Sequence, residues 1–175
     1  MVAHRQPAPG LLIYALLSRD QESEGNLLRR LQEQHGPLAL LSPPHDFPWS
    51  HYYRDEVGEH PIRRYVTTAI LQPREELHLR KLWSIQLEAE LSENGKRTTN
   101  IDPGCLTLGH LFLASTKDHK QRVYMGHGIF IEPTCYFAEK RWQRFPWSYP
   151  DFFSPVGVEW LSNSRALLQK MLSES

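Results

Sequence analysis

The chain has 175 residues and a mass of 20.4 kDa, which suits one domain. Twenty Lys and Arg residues balance twenty Asp and Glu residues, so no overall field favours nucleic acid or an anionic membrane as a partner. The two cysteines, Cys105 and Cys135, lack the spacing of a metal site and favour a reducing compartment over a disulfide framework. We therefore predict a single cytoplasmic domain over residues 1–175.

The first part of the chain predicts a β-α-β unit after a flexible N-terminus, residues 1–10. The apolar run Leu11–Leu17 is far shorter than the roughly 20 residues that span a bilayer. No small-residue cleavage site follows it, so it predicts a buried strand rather than a secretion signal or a membrane segment. Asp20 can cap a helix that ends at Gly36. Leu38–Leu41 predicts a second strand, parallel to the first.

Residues 42–61 form a connection rich in Pro, His, Asp and aromatic residues. Such a length is uncommon inside a compact domain and usually belongs to a functional segment or a disordered insert. Phe47, Trp49, Tyr52 and Tyr53 favour a folded segment, because aromatic side chains tend to bury their area. We predict an aromatic flap that covers the functional site rather than one that only closes a core edge.

The remaining elements follow from the same periodicity and turn signals. In order, the sequence predicts a strand at Ile62–Leu71, a helix from Pro73 to Asn94-Gly95, a polar turn at Asn100–Gly104, a strand at Leu106–Ala114, hairpin arms at Val123–Met125 and Ile129–Phe137, an irregular aromatic segment at Arg141–Phe153 and a helix from about Gly157 to Leu172. This order predicts an α+β fold, a ferredoxin-like β-α-β/β-α-β sandwich with a C-terminal hairpin and a terminal helix.

The second hairpin arm carries two further predictions. Strict alternation places five residues on one face, Ile129, Ile131, Pro133, Cys135 and Phe137, and leaves Glu132 among aromatic residues on the other. Pro133 has no N–H to donate to a ladder, so the arm should be an edge or carry a bulge there.

Several spaced motifs follow one another in the chain. They are Phe47-Pro-Trp-x-x-Tyr52-Tyr53, Glu56-x-Gly58, Asn100-x-Asp102-Pro-Gly104, Ser115-Thr-Lys117-Asp, Arg122-Val-Tyr124, Gly128-Ile-Phe-x-Glu132 and Trp147-x-Tyr-Pro-Asp151. This series resembles the bacterial domain-of-unknown-function family 4416 over nearly the whole chain. Two positions depart from that pattern, Cys105 in place of an aromatic residue and Pro133 in place of a β-branched one. The resemblance implies one domain and no particular activity, because none is established for the family.

The same motifs concentrate the side chains that could bind a small anion. Arg122 can hold a phosphate or carboxylate with two parallel N–H bonds, and Lys117 can act as a point charge. Asp102 or Glu132 could serve as general base, and His119 as acid or proton shuttle. The other expected ligand contacts are Asn100, Tyr52, Tyr53, Tyr149 and Asp151.

Each candidate also has an ordinary structural explanation. Asp102 before Pro-Gly commonly caps a turn, Lys117 and His119 could be solvated loop residues, and a pair between Glu132 and Lys117 or Arg122 could be a plain salt bridge. A metal site from carboxylates and histidines of this stretch, including Asp102, His119, His127 and Glu132, lacks any short-spaced ligand pair. We therefore predict no metal and assign no cofactor.

The sequence predicts binding of a small anionic molecule, nucleotide-like at the most specific, in a charged pocket, and it leaves catalysis open. The chain has no G-x-x-x-x-G-K-[ST] phosphate loop. One alternative is a protein-interaction module without catalysis, in which an aromatic surface binds a protein partner or a second copy. A second alternative is single-stranded RNA binding through rings near Trp147 and the cations Lys140, Arg141 and Arg144. The balanced charge makes nucleic acid the less favoured partner.

Overall fold

The computed structural model describes residues 5–47 and 57–174, which form an α+β fold with one antiparallel sheet between helices. The elements are β1 (Gly10–Ser18), α1 (Gln21–His35), β2 (Leu38–Leu41), β3 (His45–Asp46), β4 (Ile62–Gln72), α2 (Leu77–Glu90), β5 (Thr99–Leu106), β6 (His110–Ser115), β7 (Val123–Gly126), β8 (Ile129–Ala138), β9 (Arg141–Arg144) and α3 (Pro155–Ser173). Two 3-10 segments, Arg74–Glu76 and Pro150–Phe153, precede α2 and α3. No helix in the described ranges is long and apolar enough to cross a membrane.

The strands follow the order β2-β4-β1-β5-β6-β8-β7, while β3 also pairs with β4 and β9 with β8. Every pairing between these neighbours is antiparallel. Because β1 and β2 are both antiparallel to β4, they run parallel to each other, as the sequence of the first β-α-β unit predicts.

The central strand β1 is buried along its whole length because both faces are covered. Leu11 and Ile13 belong to the core beneath α3, whereas Leu12 and Tyr14 belong to the core beneath α1 and α2. A continuous apolar run rather than an alternating one is what such a position requires. The strand predicted for Leu11–Leu17 is therefore confirmed.

The polar turn predicted for Asn100–Gly104 is wrong, because these residues lie within β5. Thr99–Leu106 pairs residue by residue with β1, and Pro103 lies opposite Tyr14. Pairing with a buried central strand outweighs the local preference of Pro-Gly for a turn. The strand predicted for Leu106–Ala114 is interrupted at its start, where a turn after Leu106 leads into β6. The segment predicted to be irregular begins with the strand β9.

The bulge predicted at Pro133 is confirmed, but the single face predicted for the arm is wrong. The pairing between β6 and β8 skips Thr134, which is the extra residue next to Pro133. One extra residue shifts the alternation of side chains between the two faces. As a result Ile129 and Ile131 pack toward α2, whereas Cys135 packs in the core beneath α3.

Candidate functional site

A cavity of about 400 Å³ opens where β5 and β6 separate. The pairing of β5 with β6 covers Gly104–Leu106, while the earlier residues of β5 pair with β1 on the other side. Helix α2 contributes to the cavity wall, and so does Tyr149 from the segment before α3. The gap therefore brings together side chains from α2, β5, β8 and the loop after β6.

Arg122 and Glu132 form a buried ion pair in the wall of this cavity. Arg122 Nε donates to Glu132 Oε2 at 2.9 Å, and the two side chains are only 6% and 3% exposed. Arg122 Nη1 donates to Ser115 Oγ at 2.8 Å and to the carbonyl oxygen of Lys117 at 2.9 Å. Gln121 Nε2 donates to the same Glu132 oxygen at 2.8 Å. The guanidinium is therefore fixed by three acceptors, and these contacts also hold the loop after β6.

Lys81 and Asp102 form a second ion pair in the cavity. Lys81 Nζ donates to Asp102 Oδ1 at 2.9 Å and to the carbonyl oxygen of Ile101 at 2.7 Å. Asn100 Nδ2 donates to the other carboxylate oxygen at 2.8 Å. Burial alone would raise the pKa of Asp102, but the Lys81 charge and the two side-chain hydrogen bonds outweigh it and lower that pKa below its ordinary value. Asp102 is therefore ionised at neutral pH.

Glu88 lies on the same face of α2 as Lys81 and connects this helix to β5 and to the segment before it. Its Oε1 accepts from Ile101 N at 2.6 Å, and its Oε2 accepts from Arg97 Nη1 at 3.0 Å. Burial raises the pKa of Glu88 above its ordinary value, although the nearby charge of Lys81 opposes the shift. In total, seven charged side chains line the cavity, four cations (Lys81, Arg97, Lys117 and Arg122) and three carboxylates (Glu88, Asp102 and Glu132).

Six of the residues predicted for the site line this one cavity, namely Asn100, Asp102, Lys117, Arg122, Glu132 and Tyr149. Burial raises the pKa of Tyr149, and the charge of Asp102 adds to that shift. Glu132 lies two positions from Phe130 on the same face of β8, and its carboxylate is paired with Arg122, one of the two partners that the sequence suggested for it.

Other predicted site residues lie elsewhere. His119 is exposed in the loop before β7, where its carbonyl oxygen accepts from Arg122 N, and it is not part of the cavity lining. Asp151 is buried in a separate network, where its Oδ2 accepts from Arg63 Nε and from the Tyr65 hydroxyl, both at 2.7 Å. Tyr52 and Tyr53, with residues 48–56 of the predicted flap, lie outside the described residues.

Three charged residues of the cavity, Lys81, Glu88 and Arg97, were not predicted. By helical spacing, the sequence predicts that the apolar stripe of this helix begins at Leu79, but Leu79 is 49% exposed. The buried positions instead include Leu77, Lys81, Ser84 and Glu88, which follow helical spacing. Lys81 and Glu88 are seven residues apart, so they lie on the same face of the helix as the buried Leu77 and Ser84. This spacing was the feature of the sequence that could have indicated both residues. Among the described residues, no three His, Cys, Asp or Glu side chains are grouped to hold a metal ion.

The comparisons with known proteins give one result. The family model described as "Domain of unknown function (DUF4416)" matches residues 8–167. No curated protein and no solved structure matches the chain. Because the matched range covers most of the sequence, the chain belongs to the DUF4416 family, as its spaced motifs predict.

Proposed function

We propose that this member of the DUF4416 family binds a small anionic molecule in the cavity between β5 and β6. The carrying observation is Arg122, whose buried guanidinium is fixed through Nε and Nη1. In the described part of the chain no acceptor receives a hydrogen bond from its Nη2. A guanidinium held in place with a donor unused is preorganised for a carboxylate or a phosphate.

The size and charge of the cavity support the same proposal. Its volume of about 400 Å³ lies in the range of about 300–1,000 Å³ that is usual for small-molecule sites. Four cations against three carboxylates leave the lining with a formal charge of +1 when all seven are ionised.

The carboxylates add a second requirement on the ligand. Asp102 lines the cavity with a side chain that is 27% exposed, and Glu132 lines it beside Arg122. Such groups accept hydrogen bonds, so the ligand should carry hydroxyl or amino groups as well as its anion. If the ligand is turned over, these two carboxylates are the groups placed to take a proton from it, with Asp102 already ionised at neutral pH. His119 has no comparable position.

We further propose that the first part of the sheet is a ferredoxin-like unit, to which β6 to β9 and α3 are added. The strand order β2-β4-β1-β5, with α1 and α2 as the two crossovers, supports this arrangement. We also propose a cytoplasmic location, which is supported by two buried cysteines that form no disulfide.

A thermal-shift panel tests the binding proposal, with inorganic phosphate, sugar phosphates, carboxylic acids and nucleotides, each with and without magnesium. A ligand at about a hundred times its Kd adds about 2.7 kcal/mol to the free energy of unfolding. Hits are then titrated by calorimetry against Lys117→Ala, which removes an exposed cation from the lining, and Arg122→Lys, which keeps a charge but loses the guanidinium fork.

Lys120→Ala is the matched control, because Lys120 is an exposed cation of the same loop that does not line the cavity. Both lining variants should weaken binding, while Lys120→Ala should not. The proposal is wrong if no anion stabilises the wild-type protein, or if the three variants bind the anion equally well.

A further inference from the structure

Two aromatic side chains lie beside the cavity on the same face of the sheet. Phe130 is opposite Ser115 of β6 on one side and opposite Tyr124 of β7 on the other. Directly opposed residues of antiparallel strands share a face. Glu132 lies two positions further along β8, hence on the same face and about 6.6 Å away along the strand. The row that holds Phe130 and Tyr124 is therefore next to the row that holds Glu132 and its partner Arg122.

These rings form an open shelf rather than part of a core. Tyr124 is 60% exposed, and Phe130 is half-buried. Their ring centroids are 5.2 Å apart with planes inclined by 53°. The Tyr124 hydroxyl accepts from Gly128 N at 3.4 Å, which ties the ring to the hairpin turn. An exposed ring with a fixed orientation costs little conformational entropy when a planar group stacks on it.

The loop between β6 and β7 gives this shelf a positive border. From Lys117 to Arg122 it contains three cations and one carboxylate, and Ser115 contacts the Arg122 guanidinium. A molecule whose anion reaches Arg122 would therefore extend over Phe130 and Tyr124 if it also carries a flat ring.

We infer that the ligand of the cavity is an anion joined to a planar aromatic ring, with the anion at Arg122 and the ring on the Tyr124–Phe130 shelf. This inference rests on the proposed anion binding and assigns the class of molecule that binds. A phosphorylated nucleoside and a simple aryl phosphate share this chemistry.

Calorimetric titration with a graded series separates the ring from the anion. Inorganic phosphate and ribose 5-phosphate present the anion without a ring, phenyl phosphate adds a ring, and adenosine 5′-phosphate adds a ring on a sugar. Both ring-bearing probes should bind more tightly than their ring-free counterparts. Stacking of one base on an aromatic side chain corresponds to a change in Kd of about tenfold or more. Tighter binding of adenosine 5′-phosphate than of phenyl phosphate would support the nucleoside form, and equal binding the aryl form.

Tyr124→Ala should weaken the binding of the ring-bearing probes about tenfold and leave the affinity of the ring-free probes unchanged. Tyr124→Phe should keep the higher affinity for the ring-bearing probes. Val123→Ala is the matched control, since Val123 is the neighbouring residue of β7, is 64% exposed and points to the opposite face. If the ring adds no affinity and Tyr124→Ala binds every probe like the wild type, the ring assignment is wrong while anion binding stands. If none of these phosphates binds the wild-type protein, the inference is wrong, and the proposed anion binding is wrong as well when the carboxylic acids of the thermal-shift panel also give no shift.

Discussion

The substitution Asp151→Ala removes one partner of a buried ion pair, in which Arg63 of β4 contacts Asp151 of the segment before α3. Arg63 and Asp151 are 5% and 3% exposed, and their Nε and Oδ2 atoms are 2.7 Å apart. The same oxygen accepts from the Tyr65 hydroxyl at 2.7 Å. Burial acts to lower the pKa of Arg63, and the charge of Asp151 acts to raise it. Arg63 stays charged when its partner is removed, because an arginine guanidinium does not lose its proton in proteins.

The expected cost is about 3–5 kcal/mol, the usual penalty for leaving one charge of a buried pair without its partner. The total stability of a domain is about 5–15 kcal/mol, so this is a large part of it. For a chain of this size the loss corresponds to a fall in Tm of about 6–20 °C. Asp151→Asn keeps an acceptor for Tyr65 but not the charge, and should lose less.

Urea unfolding followed by circular dichroism measures both variants against an exposed pair as control. Arg141 and Glu139 are 3.4 Å apart and 70% and 77% exposed, so Arg141→Ala should cost less than about 1 kcal/mol. An Asp151→Ala loss as small as that of Arg141→Ala would refute the reasoning, and Asp151 would return as a candidate for ligand contact.

Three further predictions follow from other sites. Burial lowers the pKa of His35 from 6.5 to about 4, so between these values the unfolded chain binds a proton that the folded chain excludes. The free energy of unfolding should therefore fall as pH drops from about 6.5 to about 4. In urea titrations at several pH values, His35→Gln should flatten that slope. Gly25 lies in the interior of α1 with open space around it, so Gly25→Ala should stabilise the protein by about 1 kcal/mol. Gly157→Ala should destabilise the protein, because the new Cβ would lie 2.5 Å from a backbone oxygen. Equal shifts of the melting temperature in the two variants would contradict this. Lys81→Met should raise the pKa of Asp102, measured by carbon NMR titration, and an unmoved pKa would show that Lys81 is not what offsets burial.

Local signals in the sequence determined most of the helices and strands. The run Leu11–Leu17 predicted the central strand, and Asp20 and Gly36 predicted both ends of α1. In the structure Asp20 Oδ1 accepts from Ser23 N at 2.8 Å, and Gly36 has a φ of 75°. These signals act within a few residues, through burial, capping and permitted backbone angles, so they can be read before any partner is known.

The members of the cavity could be predicted only in part. Asn100, Asp102, Lys117, Arg122 and Glu132 lie in spaced motifs with suitable chemistry, and the structure gathers them around one cavity. His119 lies in the same loop as Lys117 and Arg122, yet it is exposed and does not line the cavity. No pattern within a motif specifies which of its side chains turns inward.

The sequence alone specified the three helices and most of the strands in order, but not β3, β5 or β9, and it also indicated most of the charges that line the cavity. The tertiary fold makes a strand of Asn100–Gly104, since β1 supplies its hydrogen-bond partners. It also decided how α2 is rotated, which buries Lys81 and Glu88 and leaves Leu79 exposed. Both outcomes depend on surfaces contributed by distant parts of the chain, and the free energy of that packing exceeds the small local preferences that a sequence pattern expresses.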